Sequence, residues 1–181
     1  CSYQTVKFWQ NLGAKVCVLA RELSFPEIAE IREKCPDIKL ETFIHGAMCM
    51  SYSGRCLLSN YLADRPANKG KCAHVCRWNY KLTAENTAFY IKEEGSDKEA
   101  MEIQQDEQGS YLLSSKDLCL MPVLNEYAKI GIDYLKIEGR NKSEYYVAVV
   151  ARAYRNALDA YYQNPENWDY KPFLAELFTL Q

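Results

Sequence analysis

Short apolar runs alternate with amphipathic stretches along most of this chain. The run over residues 14–20 is apolar and rich in β-branched side chains, which predicts a buried strand. Ser24 then offers a helix N-cap, Pro26 lies in the first predicted turn, and apolar residues follow at helical spacing. The pattern predicts a second strand over residues 38–46.

The same alternation returns after residue 110. The pattern predicts a helix over residues 118–130, ended by Gly131, and then a strand over residues 132–137. Ser143 is expected to cap a long helix that runs to Tyr162. Strands that alternate with amphipathic helices indicate βαβ units and a parallel sheet.

Strands are predicted near residues 15, 40, 112 and 134, which is half the number in a closed eight-stranded barrel. A complete barrel needs about 250 residues, and this chain has 181. We therefore predict an α/β fold, a partial TIM-like (β/α) barrel. Since the chain begins at Cys1, we expect an N-terminal half of the barrel to be missing, or self-association to cover the exposed strand faces.

One segment interrupts this alternation. Three short strand-like stretches separated by turn residues predict a small β-meander inserted into a loop of the barrel. The predicted organisation is barrel units with a cysteine-rich segment over 1–76, the meander over 77–110, further barrel units over 111–164, and a C-terminal tail over 165–181.

Charged residues lie at the C-terminal ends of two predicted strands. By period-two alternation, each strand places three side chains on one face: Glu41, Phe43 and His45 in one, and Lys136, Glu138 and Arg140 in the other. A strand buried on both faces should be apolar on both. These residues therefore favour the mouth of a barrel, where active sites lie; the alternative is a structural ion network.

Four of the eight cysteines fall within one short segment: Cys49, Cys56, Cys72 and Cys76. Grouped thiols bind zinc or an iron–sulfur cluster. Structural zinc sites usually contain CxxC pairs, and this segment has none, so its spacing favours a cluster. The alternative is that these thiols are reduced and unligated. Cys119 is a fifth candidate ligand.

Charge and hydropathy limit the classes of function. The net charge of −2 argues against binding nucleic acid by charge over the whole surface, although residues 65–77 are locally basic. No apolar run approaches the roughly 18 residues of a membrane span. No secretory signal is visible. We therefore expect a cytoplasmic protein with no membrane partner.

The stretch Glu41-x-Phe43-x-x-Gly46-Ala47-Met48-Cys49-x4-Gly54-x-Cys56-x-Leu58-Ser59 resembles the full signature of peptidase family U32, the collagenase-like family. The segments around Cys72 to Trp78 and Lys136 to Arg140 are similar to that family as well. Beside its peptidase name, the resemblance implies RNA hydroxylation, and it is closest to the subgroup that forms 5-hydroxyuridine at the tRNA wobble position using prephenate. It also implies a 4Fe–4S cluster on Cys49, Cys56, Cys72 and Cys76, with Cys119 as an alternate ligand, and tRNA as a partner.

The residues suggest roles within such a site. Lys136 and Arg140 are expected to bind a dicarboxylate such as prephenate, since cationic side chains recognise carboxylates. Glu138 would position them or move a proton, and His45 is the second catalytic candidate. Two further residues complete the predicted substrate-binding set: Glu41, at the start of the signature, and Arg77, beside an aromatic residue that could stack a base.

A peptidase and a non-catalytic barrel fragment remain alternatives. Proteolysis needs a nucleophile with a base, or a metal-bound water. The sequence contains no H-E-x-x-H and no G-x-S-x-G motif, which leaves a Cys49–His45 pair as the peptidase candidate. A redox cluster accounts for four grouped cysteines better than proteolysis does, so an RNA-hydroxylating enzyme is the first hypothesis.

Overall fold

The computed structural model describes residues 1–78, 116–140 and 142–180, together with the backbone of four two-residue strands between residues 90 and 110. The chain divides into two compact units. Unit 1 comprises Cys1–Met48 and Lys116–Gln181, and unit 2 comprises Cys49–Ser115. The division into segments predicted from the sequence stays a prediction.

The elements of unit 1 are, in chain order, α1 (Tyr3–Asn11), β1 (Val16–Val18), α2 (Phe25–Lys34), β2 (Lys39–Gly46), β7 (Leu118–Cys119), α4 (Leu124–Lys129), β8 (Tyr134–Glu138), α5 (Glu144–Gln163) and α6 (Lys171–Phe178). Those of unit 2 are α3 (Leu58–Ala63), β3 (Tyr90–Ile91), β4 (Met101–Glu102), β5 (Gln105–Asp106) and β6 (Gly109–Ser110). The described residues also form four 3-10 turns: Ala67–Lys69, Val75–Arg77, Met121–Val123 and Pro165–Asn167.

β2 is the central strand of the sheet in unit 1. It pairs in parallel with β1 and with β8, and antiparallel with β7. In unit 2, β3 pairs antiparallel with β4, and β5 pairs with β6 in the same way.

The two longest helices of unit 1 begin where their capping residues predict. The Ser24 backbone N–H and hydroxyl both donate to Glu27 at the start of α2, which completes a capping box. The Ser143 hydroxyl accepts from the Tyr146 N–H at 3.1 Å at the start of α5. Both helix starts predicted from the sequence are confirmed.

Two apolar clusters stabilise unit 1. One packs α5 and α6 against the sheet through Ile44, Val150, Tyr154 and Leu177. The other packs α1 and α2 around Leu40 of the central strand. The residues that carry these clusters follow the helical and strand periodicities of the sequence, so the two cores result directly from the hydrophobic pattern.

The α/β class with parallel strands is confirmed. The described sheet is open and includes the antiparallel strand β7, and the partial barrel stays a prediction. The predicted strand near residue 112 and most of the predicted β-meander lie outside the described residues.

Two local predictions are wrong. Residues 118–130 do not form one helix, because Leu118–Cys119 pairs with β2 and Pro122 sits in a 3-10 turn before α4 begins at Leu124. The first strand is not fully buried either. Val16 and Val18 are 40% and 49% exposed, because in the described residues β1 pairs only with β2.

None of the helices in the described residues has both the length and the apolar character that crossing a lipid bilayer requires.

Candidate functional site

An ion pair lies at the C-terminal end of the parallel strands in unit 1. The Arg21 guanidinium, three residues after β1, donates to Glu138 Oε2 at 3.2 Å and to the Ala47 carbonyl at 2.8 Å. It also stacks over the Phe43 ring, 3.9 Å from the ring centroid. The second Glu138 oxygen accepts from the Arg140 backbone N–H at 3.0 Å. Glu138 is therefore an oriented carboxylate.

A second pair lies on the same face of the sheet. Lys136 Nζ is 2.7 Å from Glu41 Oε1 and 5.3 Å from the centroid of the Phe43 ring. Phe43 contacts Lys136 and also Arg21, which binds Glu138. Lys136 and Glu138 therefore share one face, as the alternation predicts. The observed pairs nevertheless differ from the ion network considered from the sequence: Glu138 binds Arg21, and Lys136 binds Glu41.

Gly46 allows β2 and β8 to approach closely beside this carboxylate. Its φ is +108°, and a Cβ built at this position would lie 2.0 Å from the Glu138 carbonyl oxygen. Only glycine satisfies both conditions without strain. The glycine of the signature thus has a packing role next to Glu138.

His45 does not lie on the face of Glu41 and Phe43, so that prediction is wrong. The register between β2 and β8 shifts between Phe43 and His45, which is a β-bulge, and a bulge reverses the alternation of side chains. The buried imidazole contacts the rings of Tyr146 and Tyr154 on α5 instead. Sequence periodicity cannot reveal a bulge.

The hydrogen bonds around His45 define its tautomer. The Tyr154 hydroxyl donates its single proton to the Ile44 carbonyl at 3.0 Å, a stronger acceptor than the Cys119 sulfur at 3.8 Å. His45 Nδ1, 3.3 Å from the same hydroxyl, must then be the donor, which leaves Nε2 as an acceptor. Burial lowers the pKa of His45, which favours this neutral form.

A polar group on unit 1 escaped the sequence analysis. The Tyr146 hydroxyl donates to Asp117 Oδ2 at 2.8 Å, and Lys142 Nζ lies 2.7 Å from the same oxygen. Arg21 was missed as well. Its position just beyond a predicted parallel strand was the available signal, since the C-terminal ends of such strands meet at one edge.

Unit 2 holds the four grouped cysteines. The fully buried Ser59 hydroxyl of α3 donates to the Arg65 carbonyl at 2.7 Å and accepts from the Ala73 N–H at 2.9 Å. Ser59 therefore connects the helix after Cys56 to the chain just before Cys76. All four thiols are free and half-buried.

Cys56 and Cys76 differ in how readily they ionise. Burial opposes ionisation of Cys56, but the neighbouring Ser51 hydroxyl and the N–H groups of Leu58 and Ser59 outweigh it and lower the pKa of Cys56. Burial raises the pKa of Cys76, and the neighbouring Cys49, Cys72 and Cys56 raise it further against the opposing charge of Arg77. The other three thiols thus act on the ionisation of Cys76.

The donor chemistry of this group fits a thiolate-bound metal or cluster. Between Cys72 and Cys76, His74 Nδ1 is buried, and the described part of the chain offers it no hydrogen-bond partner. In the same residues, no three His, Cys, Asp or Glu side chains are arranged so as to hold one ion. These residues therefore match a metal or cluster in the type of donor atom, but the described side chains do not form a complete set of ligands.

The remaining predicted residues fall in both units. Cys119 lies on β7 of unit 1, where its sulfur contacts the Tyr154 hydroxyl. Arg77 ends the 3-10 turn that carries Cys76, and the adjacent Trp78 is exposed. Arg140 follows β8 and is exposed.

Comparison with known proteins identifies the family of this chain and several relatives. The sequence model of peptidase family U32 matches residues 1–179. The chain is 44% identical over 177 residues to "tRNA hydroxylation protein P1" of Bacillus subtilis, covering 97% of this chain and 39% of that protein. It is 39% identical over 188 residues to "tRNA hydroxylation protein P" of Escherichia coli, covering 87% of this chain and 42% of that protein.

A relative with a different name is less similar. The "Collagenase" of Porphyromonas gingivalis is 33% identical over 168 residues, covering 87% of this chain and 37% of that protein. The chain thus spans about two fifths of the length of these curated relatives. No solved structure gives a significant match.

Proposed function

Because this chain belongs to peptidase family U32, we propose that it takes part in RNA modification, as part of an iron–sulfur enzyme that hydroxylates wobble uridine in tRNA with prephenate as co-substrate. The observation that carries the proposal is the similarity to proteins named for tRNA hydroxylation. Those of Escherichia coli and Bacillus subtilis are 39% and 44% identical to this chain, and the protein named collagenase is 33% identical.

The cysteines of unit 2 would hold the cofactor. Cys49, Cys56, Cys72 and Cys76 supply four free thiols, and the first three raise the pKa of the fourth. Thiolates are the usual ligands of 4Fe–4S clusters. When bound, such a cluster would supply or accept single electrons, which hydroxylation requires.

Residues of unit 1 would position the small substrate. Arg21 and the Arg140 N–H orient the Glu138 carboxylate, which suits it to hold or move a proton. Lys136 is already paired with Glu41 at 2.7 Å, so a bound carboxylate would displace Glu41 to reach it. Exposed Arg140 would be its second cation.

The RNA would contact unit 2. Among residues 49–78, five are cationic and one is acidic: Arg55, Arg65, Lys69, Lys71 and Arg77 against Asp64. Trp78 is exposed beside Arg77 and offers a surface on which a splayed base could stack.

The cofactor and the RNA role are tested separately in the full-length protein. After anaerobic purification, iron and sulfide analysis should give about four of each per protein. Cys56→Ser should lose them, and the matched Cys1→Ser should retain them. Stoichiometric zinc without iron would contradict the cluster.

The RNA role is tested in a deletion strain. Mass spectrometry of its tRNA should show loss of 5-hydroxyuridine derivatives, restored by the wild-type gene and not by Glu138→Gln. Unchanged derivatives in the deletion strain would contradict the proposal.

A peptidase is the second candidate, supported by the relative named collagenase. It predicts gelatin cleavage that survives removal of iron and is lost in Cys49→Ala. Cleavage that a chelator abolishes, or that Cys49→Ala retains, would exclude this thiol peptidase.

A further inference from the structure

Unit 1 contains a cavity that neither the sequence signature nor the proposed reaction assigns. It has a volume of about 620 Å³, within the range of about 300–1,000 Å³ that small-molecule sites occupy. One wall is apolar and comes from α6 and the turn that follows it: Leu174, Leu177, Phe178 and Leu180. Polar groups from β2, β7 and the start of α5 line the rest.

The charges at the polar wall do not balance. Asp117 and Lys142 neutralise each other across 2.7 Å, and the Tyr146 hydroxyl donates to the same carboxylate. Lys116 lines the cavity too, and in the described part of the chain it has no ion-pair partner. Among the described residues, the wall therefore carries one more positive charge than negative charges.

His45 adds one hydrogen-bond acceptor. His45 Nδ1 donates its proton to the Tyr154 hydroxyl, and that hydroxyl donates its own proton to the Ile44 carbonyl. In the described residues Nε2 has no hydrogen-bond partner, and His45 lines the cavity. A ligand that donates an O–H or N–H to this nitrogen would satisfy it.

We propose that this cavity binds a small organic monoanion with an apolar body, whose carboxylate pairs with Lys116 and whose hydroxyl or N–H donates to His45 Nε2. One cation without an ion-pair partner among the described residues suits one carboxylate, and the leucine and phenylalanine wall suits a ring or branched alkyl group. This inference does not rest on the proposed RNA role, since binding is measured without RNA.

A series of probes that each lack one feature tests the proposal in the full-length protein. By calorimetry, 3-(4-hydroxyphenyl)propionate should bind most tightly. Its amide lacks the charge, 3-phenylpropionate lacks the donor and succinate lacks the apolar body. Each of these three probes should bind with a Kd about 5- to 10-fold higher. That factor corresponds to the loss of one charged or buried hydrogen bond, or of one apolar contact. No measurable binding of the first probe would overturn the proposal, as would equal binding of acid and amide.

Variants locate the binding. Lys116→Met should abolish the preference for acid over amide. Lys129→Met on α4, outside the cavity, should leave that preference unchanged. Phe178→Ala should weaken every probe that carries a ring, and its side chain is 58% exposed, so the fold should tolerate the change. Undiminished binding in both Lys116→Met and Phe178→Ala would overturn the assignment to this cavity, and thermal unfolding of each variant confirms that it is folded.

Discussion

Arg21 and Glu138, which are 117 residues apart in the chain, form an ion pair with 3.2 Å between Nη2 and Oε2. Their side chains are only 15% and 14% exposed. Arg21 also binds the Ala47 carbonyl and stacks on Phe43, so this one guanidinium connects the end of β1 to the ends of β2 and β8.

Removing the guanidinium should destabilise the protein. Arg21→Met leaves Glu138 Oε2 and the Ala47 carbonyl without their donor, which should lower the free energy of unfolding by about 2 kcal/mol. Urea denaturation measures the change. Arg155→Met is the matched control, because its pair with Asp159 is exposed and should contribute about 0.5 kcal/mol or less. Equal losses in the two variants would contradict the structural role of Arg21.

Gly46→Ala should be far more damaging than an alanine at another left-handed glycine. The new Cβ would lie 2.0 Å from the Glu138 carbonyl oxygen, so β2 and β8 would have to separate, at a cost of about 3 kcal/mol. Gly131 also has positive φ, but a Cβ there meets nothing within 4 Å, so Gly131→Ala should cost about 1 kcal/mol. Thermal and urea unfolding of both variants would show the difference, and similar costs would refute the close approach.

Tyr154→Phe should change both stability and the His45 tautomer. It leaves His45 Nδ1 without a partner in the core and removes one of two hydrogen bonds to the Ile44 carbonyl, which keeps the Leu120 N–H at 2.9 Å. The change should cost about 1–2 kcal/mol. Nitrogen NMR of the imidazole should show the Nδ1–H tautomer in the wild type and a shift away from it in the variant. Tyr162→Phe, at a 64% exposed position on the same helix, should do neither.

Stability should fall in mild acid because of His45. Burial lowers its pKa in the folded state, Lys142 lowers it further, and Asp117 opposes them. The unfolded chain therefore binds a proton near pH 6.5, while the folded protein does so only at lower pH. This contribution is complete above about pH 6.5 and is lost as the pH falls towards the folded pKa. In His45→Gln, the free energy of unfolding should depend less on pH between 7.5 and 5.5; an unchanged profile would contradict this.

The local signals in the sequence were sufficient for several parts of the fold. Ser24 and Ser143 marked two helix starts, and the apolar periodicity marked the cores around Leu40 and Ile44. The grouping of four cysteines and the charged ends of two strands were also readable, because each depends on neighbours in sequence. The helix predicted over residues 118–130 failed because β-pairing to a distant strand outweighed local propensity.

By itself, the sequence determined the family, the α/β class, the grouped thiols and the charged residues at the ends of β2 and β8. Only the tertiary structure decided which charges pair, that His45 turns away from Glu41 and Phe43, and that Asp117, Lys142 and Tyr146 meet at one cavity. The physical reason is that a pattern specifies which face a side chain occupies only while the register is regular. A single bulge at His45 and contacts across more than 100 residues, as between Arg21 and Glu138, depend on how the strands are brought together.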